Sequence, residues 1–211
     1  MEKIIICNLK SNLLYSDIKS YVNKIKNYKN ILTVPSNIYL KDFINENIEV
    51  GIQDISQYEN GPYTSFVSAN QASSLGVKYV LLNHVEVKKL TKQTKEDLMN
   101  KLYLSKKYNL KIILCIENIF ELNEILNSFD LKDTIVVLEP EYTIGSNPLS
   151  LEEIKENISK IKDMLNSNNK VLYGGSVDKL NISSILSIKE VDGVLLGHAS
   201  LDMENIIKEV M

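Results

Sequence analysis

The stretch YVLLNHVEVKK, Tyr79 to Lys89, passes without a break from apolar residues into an asparagine, a histidine and a glutamate. Four consecutive apolar residues with no alternating polar partner suit a strand covered on both faces, as in a parallel sheet. The end of that strand then carries one of only two histidines in 211 residues.

Similar apolar runs recur along the whole chain: KIIIC (3–7), NILTV (30–34), EVGIQ (49–53), KYVLL (78–82), KIILC (111–115), TIVVL (134–138), KVLY (170–173) and GVLL (193–196). Most are separated by segments of helical periodicity. Ile18, Tyr21, Val22 and Ile25 form one stripe, and Ile154, Ile158, Ile161 and Leu165 form another. Thr94 with Asp97 three residues on predicts a capped helix start. Strand and helix alternate with no linker or low-complexity tract, which points to an α/β fold of one domain over residues 1–211. Eight such units favour a closed (β/α)8 barrel, with outer helices shortened to fit the chain length.

Composition narrows the partners. A formal charge of −3 gives no electrostatic reason to expect nucleic acid or an anionic membrane. The N-terminal apolar run is too short for a spanning helix or a signal peptide, so a cytoplasmic location is expected. Cys7 and Cys115 lie inside apolar runs and read as buried thiols, and no metal-ligand spacing is present. All 24 basic residues are lysine. An anion site therefore has to use lysine, hydroxyls or backbone N–H groups.

In a parallel α/β fold, ligands bind at the carboxyl ends of the strands. The polar residues there are Asn8 and Lys10 after the first run, then Asn83, His84 and Glu86 after the fourth. Glu139 comes after the sixth, Gly174, Gly175 and Ser176 after the seventh, and Gly197 and His198 after the eighth. Taken singly, each is more often a turn or core residue. Together they place base, acid, lysine and amide at one mouth.

In this order the segments CNLKSN, GIQDIS with GPYTS, GVKYVLLNHVEV, LEPEYTIGSNP, LYGGSV and VDGVLLGHASL resemble the triosephosphate isomerase family, in a compact, archaeal-like form. The resemblance spans the chain. It implies interconversion of dihydroxyacetone phosphate and D-glyceraldehyde 3-phosphate, with no metal or cofactor. Glu139 would be the base, His84 the proton shuttle, and Lys10 and Asn8 the groups that bind substrate and stabilise charge, with Glu86 orienting the lysine. The phosphate would meet Asn8, Lys10 and the backbone of Gly145, Ser176, Gly197 and His198. Residues 140–148 would form a lid, and the loop carrying Thr64 would enter a partner in a homodimer or homotetramer. The rivals are a barrel that binds without catalysis and an isomerase or lyase for a larger sugar phosphate.

Some positions depart from the family. Val85 and Val87 stand where a serine and an arginine are usual, Tyr142 where a tryptophan is usual, and Cys7 where a glycine is usual. The serine normally contacts the base, and the arginine normally takes part in the subunit contact.

Overall fold

The computed structural model describes residues 3–143, 145–165 and 169–210. Its eight strands are β1 (Ile4–Asn8), β2 (Ile31–Val34), β3 (Gly51–Ile52), β4 (Tyr79–Leu82), β5 (Lys111–Ile116), β6 (Ile135–Leu138), β7 (Val171–Tyr173) and β8 (Gly193–Leu196). Each falls on one of the apolar runs read from the sequence. All pairings are parallel and run in the order β2-β1-β8-β7-β6-β5-β4-β3. A single bridge between Thr33 and Val50 joins the two ends, closing a (β/α)8 barrel with a thin seam at β2 and β3.

Two apolar layers explain why the strands do not alternate in polarity. Ile6, Leu81, Ile113, Val137, Leu172 and Leu195 fill the barrel interior. Their chain neighbours Ile5, Cys7, Val80, Leu82, Val136 and Leu138 face outward against the helices. Both faces exclude water, so successive residues are both apolar although their side chains point in opposite directions.

The helices are α1 (Tyr15–Ile25), α2 (Leu40–Asn45), α3 (Ala69–Leu75), α4 (Val85–Thr91), α5 (Lys95–Lys107), α6 (Ile119–Leu126), α7 (Leu151–Leu165), α8 (Ile182–Ser187) and α9 (Met203–Val210). Six of these have eight residues or fewer. Helices that short are marginal in isolation and depend on packing against the barrel. α1 and α7 bury the two predicted stripes. α5 opens with the Thr94–Asp97 capping box. The sequence analysis names no helix over Val85–Thr91; the chain turns at Asn83 and His84 caps α4 there.

Both cysteines are free and buried. Burial pushes the Cys7 thiol up to about 12, only partly offset by the neighbouring Tyr21 side chain, and its Sγ lies 3.4 Å from Met203 Sδ. It is an inert packing group on the outer face of β1. Among the described residues no helix is long and apolar enough to cross a membrane, and no group of three His, Cys, Asp or Glu side chains could hold a metal ion.

Candidate active site

The strand alternation that fills the barrel also sets what its mouth contains. Asn8 continues the inward series of Ile4 and Ile6. Glu139 comes after Val137, Gly174 after Leu172, and Gly197 after Leu195, each two residues on from an interior side chain. One parity therefore delivers an amide, a carboxylate and two glycines to the same end of the barrel.

Past β1 the backbone of Lys10 is left-handed, with φ 51°. Two contacts hold it there. Its N–H donates to Asn8 Oδ1 at 3.2 Å, and its carbonyl accepts from Gln53 Nε2 at 2.8 Å, an amide that also reaches the Val34 carbonyl at 3.2 Å. The Lys10 ammonium forms an ion pair with Glu86. Both side chains keep solvent contact, so the pair adds little stability and acts mainly to aim the lysine.

His84 is 3% exposed and sits at the N-cap of α4. Its Nδ1 accepts the Glu86 backbone N–H at 3.2 Å. That bond needs a lone pair on Nδ1, so the ring is neutral with its proton on Nε2. Nε2 lies 3.5 Å from Glu139 Oε2. Glu139 is 5% exposed, and Oε2 has no hydrogen-bond partner among the described residues. Leaving a buried carboxylate oxygen unpaired is costly, and such groups mark sites where a ligand completes the bonding. Beside it, burial and then the Glu139 charge hold the Cys115 thiol well above its usual range, so it stays protonated.

A cavity of about 800 Å³ opens over this floor. Lys10, Glu139, Gly145, Ser176, Gly197 and His198 are among its lining residues. Asn8 and His84 are buried instead, and Glu86 stands behind Lys10. The structure thus gathers the lysine, the carboxylate and four of the expected backbone positions around one space, with the histidine against the carboxylate.

Gly145, Ser146, Asn147 and Pro148 line one side. Ile144, inside the expected lid, lies outside the described residues. Thr143 is buried; its Oγ1 donates to the Pro140 carbonyl at 2.6 Å, and its own carbonyl accepts from the Ser176 hydroxyl. At the far end the Leu149 N–H donates to the Tyr173 hydroxyl at 2.9 Å. Gly175 permits this seating, because a Cβ there would collide with Thr143 Oγ1 and the Tyr173 hydroxyl.

The model of the triosephosphate isomerase family matches residues 3–210. The chain belongs to the triosephosphate isomerase family. It is 31% identical to the triosephosphate isomerase of Mesomycoplasma hyopneumoniae strain 232 over 237 aligned positions, covering 99% of this chain and 98% of that one. Identity to the Francisella philomiragia enzyme is 31% over 235 positions, with 95% and 93% covered. For Mesomycoplasma hyorhinis it is 30% over 213 positions, with 93% and 87% covered. The 237 aligned positions exceed the 211 residues of this chain. The family barrel is therefore carried here on fewer residues, in keeping with its short helices.

Against the family pattern, Val85 is buried where a serine is usual. It offers the Glu139 carboxylate no hydroxyl, and that carboxylate faces His84. The sequence alone does not reveal the supporting roles of four residues: Gln53, Asn83, Thr143 and Tyr173. Gln53 reads as the end of an apolar run and Tyr173 as part of one. The signal for each is a polar group at or just past the end of a buried strand, which must find a partner.

Proposed function

We propose that this chain is an active triosephosphate isomerase, interconverting dihydroxyacetone phosphate and D-glyceraldehyde 3-phosphate in glycolysis and gluconeogenesis. Membership of the family supports the reaction. The observation that carries the assignment of roles is the unpaired, buried Glu139 Oε2, 3.5 Å from His84 Nε2 at the floor of the cavity.

In the proposed reaction Glu139 removes a proton from the carbon next to the substrate carbonyl. The electrons of that C–H bond form the C=C bond of an enediolate, and the carbonyl electrons move onto oxygen. His84 donates its Nε2 proton to that oxygen and recovers one from the neighbouring hydroxyl, and Glu139 returns its proton to the adjacent carbon. A neutral histidine paired with a glutamate base under a closing lid is the arrangement for which this enzyme is the standing illustration. Lys10 supplies fixed positive charge close to the developing negative charge, held in aim by Glu86, and Asn8 adds a neutral donor.

The phosphate is assigned to Lys10 and to the backbone N–H groups of Gly145, Ser176, Gly197 and His198, an arrangement that needs no arginine. Residues 140–148 act as the lid, keeping water from an enediolate that could otherwise eliminate phosphate. The reaction needs no metal or cofactor.

The same reading takes the protein as a cytoplasmic homodimer or homotetramer. The loop around Thr64 supports an interface, because Tyr58, Tyr63 and Phe66 are exposed there and Tyr58 stacks on Tyr63 at 4.5 Å. Light scattering tests this, and a monomer would refute it.

An assay with purified protein on triose phosphates beside pentose phosphates tests the substrate class. The expected result is rapid conversion of the trioses only. His84→Gln should fold normally and lose about 10²-fold or more in kcat. Full activity in that variant would overturn the role given to His84.

A further inference from the structure

His84 is on the wrong parity to reach the mouth. Tyr79 and Leu81 point into the barrel and Val80 and Leu82 point out toward the helices. Regular extension would send Asn83 inward and His84 outward with Leu82. The backbone of Asn83 is instead left-handed, with φ 63°. That one residue ends the strand geometry, starts α4, and turns the histidine ring toward Glu139.

Left-handed backbone is uncommon for residues with a side chain, and asparagine is among those that tolerate it. Here the side chain is also fixed. Asn83 is 3% exposed. Its Nδ2 donates to the Cys115 carbonyl and to Glu121 Oε1, both at 2.9 Å. Its Oδ1 accepts from Gln93 Nε2 at 3.1 Å. Gln93 Oε1 in turn accepts from the buried Lys101 at 2.7 Å, and Lys101 pairs with Asp54 at 2.5 Å. On the other side Glu121 also binds Lys88 at 2.9 Å. A chain of polar side chains therefore runs behind the mouth from the β3 loop to the β5 loop, with Asn83 at its centre.

The contact with Cys115 ties the two reacting groups together. The Cys115 carbonyl receives Asn83, and its thiol lies near enough to Glu139 to feel that carboxylate's charge. One residue of β5 thus holds the residue that aims the histidine and lies beside the carboxylate the histidine faces.

We propose that Asn83 is a positioning residue. By holding a left-handed turn clamped to β5, it sets the tautomer and the aim of His84 relative to Glu139 without touching substrate itself. Misplacement of a reacting group by about 1 Å costs on the order of 10²-fold in rate, whereas phosphate binding is made elsewhere in the mouth. Loss of the clamp should therefore appear in kcat and not in anion affinity.

This inference rests on the isomerase reading, and the test separates the two. Asn83→Gly keeps access to the left-handed backbone and removes all three side-chain contacts. The expected result is a kcat lower by roughly 10- to 100-fold, with the inhibition constant for sulfate within about twofold of wild type.

The second readout is spectroscopic and independent of activity. With only two histidines in the chain, the imidazole nitrogens of His84 can be resolved by ¹⁵N NMR at pH 8, using His198→Gln for assignment. Wild type should show the Nε2–H tautomer alone, and Asn83→Gly a mixture of both tautomers.

If Asn83→Gly does not fold, Asn83→Asp carries the same test. It keeps the shape and the tolerance of a left-handed backbone but turns an acceptor toward the Cys115 carbonyl and Glu121. Wild-type kcat in a folded variant, or an unchanged single tautomer, would overturn the inference. Absence of isomerase activity in the wild type would instead overturn the reading beneath it.

Discussion

The two sides of the mouth are built differently. On the His84 side, Asn83 alone makes three side-chain hydrogen bonds, backed by Gln93, Lys101 and Asp54. On the proposed lid side, Thr143 is held through its carbonyl to Ser176 and Leu149 through its N–H to Tyr173. Gly145, with φ 70°, has nothing within 4 Å of where a side chain would begin. The proposed function gives the two sides different tasks. An acid that must be aligned in the transition state gains from rigidity, whereas a cover that admits substrate must break its contacts in every cycle.

The strongest way to break the contrast is to remove the charge inside the rigid side. Lys101→Met strips Asp54 of its counter-ion, and loss of one partner of a buried pair costs on the order of 3 kcal/mol. Urea unfolding should show it. Burial already pushes the Asp54 carboxyl up, against the downward pull of Lys101. In the variant the deficit should therefore shrink on acidification, because a protonated Asp54 needs no counter-ion. An unchanged midpoint would mean that this side is not held as described.

A smaller effect is expected on the lid side. Tyr173→Phe leaves the Leu149 N–H without its partner, equivalent to about 1 kcal/mol. Steady-state kinetics should show kcat/KM lower by about fivefold, with little change in the unfolding midpoint, since the lid is not part of the core. A stability loss as large as that of Lys101→Met would erase the distinction between the two sides.

The smallest effect sharpens the comparison. Thr94 caps α5, the helix that carries Lys101, and Thr94→Ala should cost about 1 kcal/mol or less with kcat unchanged. Hydrogen bonds from the Thr94 backbone N–H and then its hydroxyl hold the Asp97 carboxyl below its ordinary range. Its folded value lies below the unfolded one, so its contribution is present above the unfolded value and fades as pH falls through the folded one. Unfolding at pH 7 and at pH 3 should show the gap between wild type and variant narrowing in acid.

Much of this is legible in the sequence because burial on two faces leaves a strong signal. All eight strands coincide with uninterrupted apolar runs, and Ile18, Tyr21, Val22 and Ile25 are buried as their spacing implies. Glu139, Lys10 and the glycine turns stand out because each lies just past the carboxyl end of an apolar run. The residues whose roles stay hidden act through space. In the sequence Asn83 is simply the residue before the histidine, because its left-handed backbone depends on contacts with Cys115, Glu121 and Gln93, which lie 10 to 38 positions away. Tyr173 packs as an apolar strand residue, and only the fold shows its hydroxyl beneath the lid. The short helix α4 carries no stripe of the kind seen in α1, and Val85 opens it because the chain turns one residue before the histidine.

The central claim is that Glu139 moves a proton between adjacent carbons of a triose phosphate. Its most direct test is conversion of dihydroxyacetone phosphate in D₂O by wild type and by Glu139→Gln. The account predicts that wild type forms glyceraldehyde 3-phosphate whose carbon next to the aldehyde carries either the hydrogen that Glu139 took from the substrate or deuterium gained by exchange on Glu139. The folded variant should lose about 10²-fold or more in rate. Conversion by Glu139→Gln at the wild-type rate would contradict it.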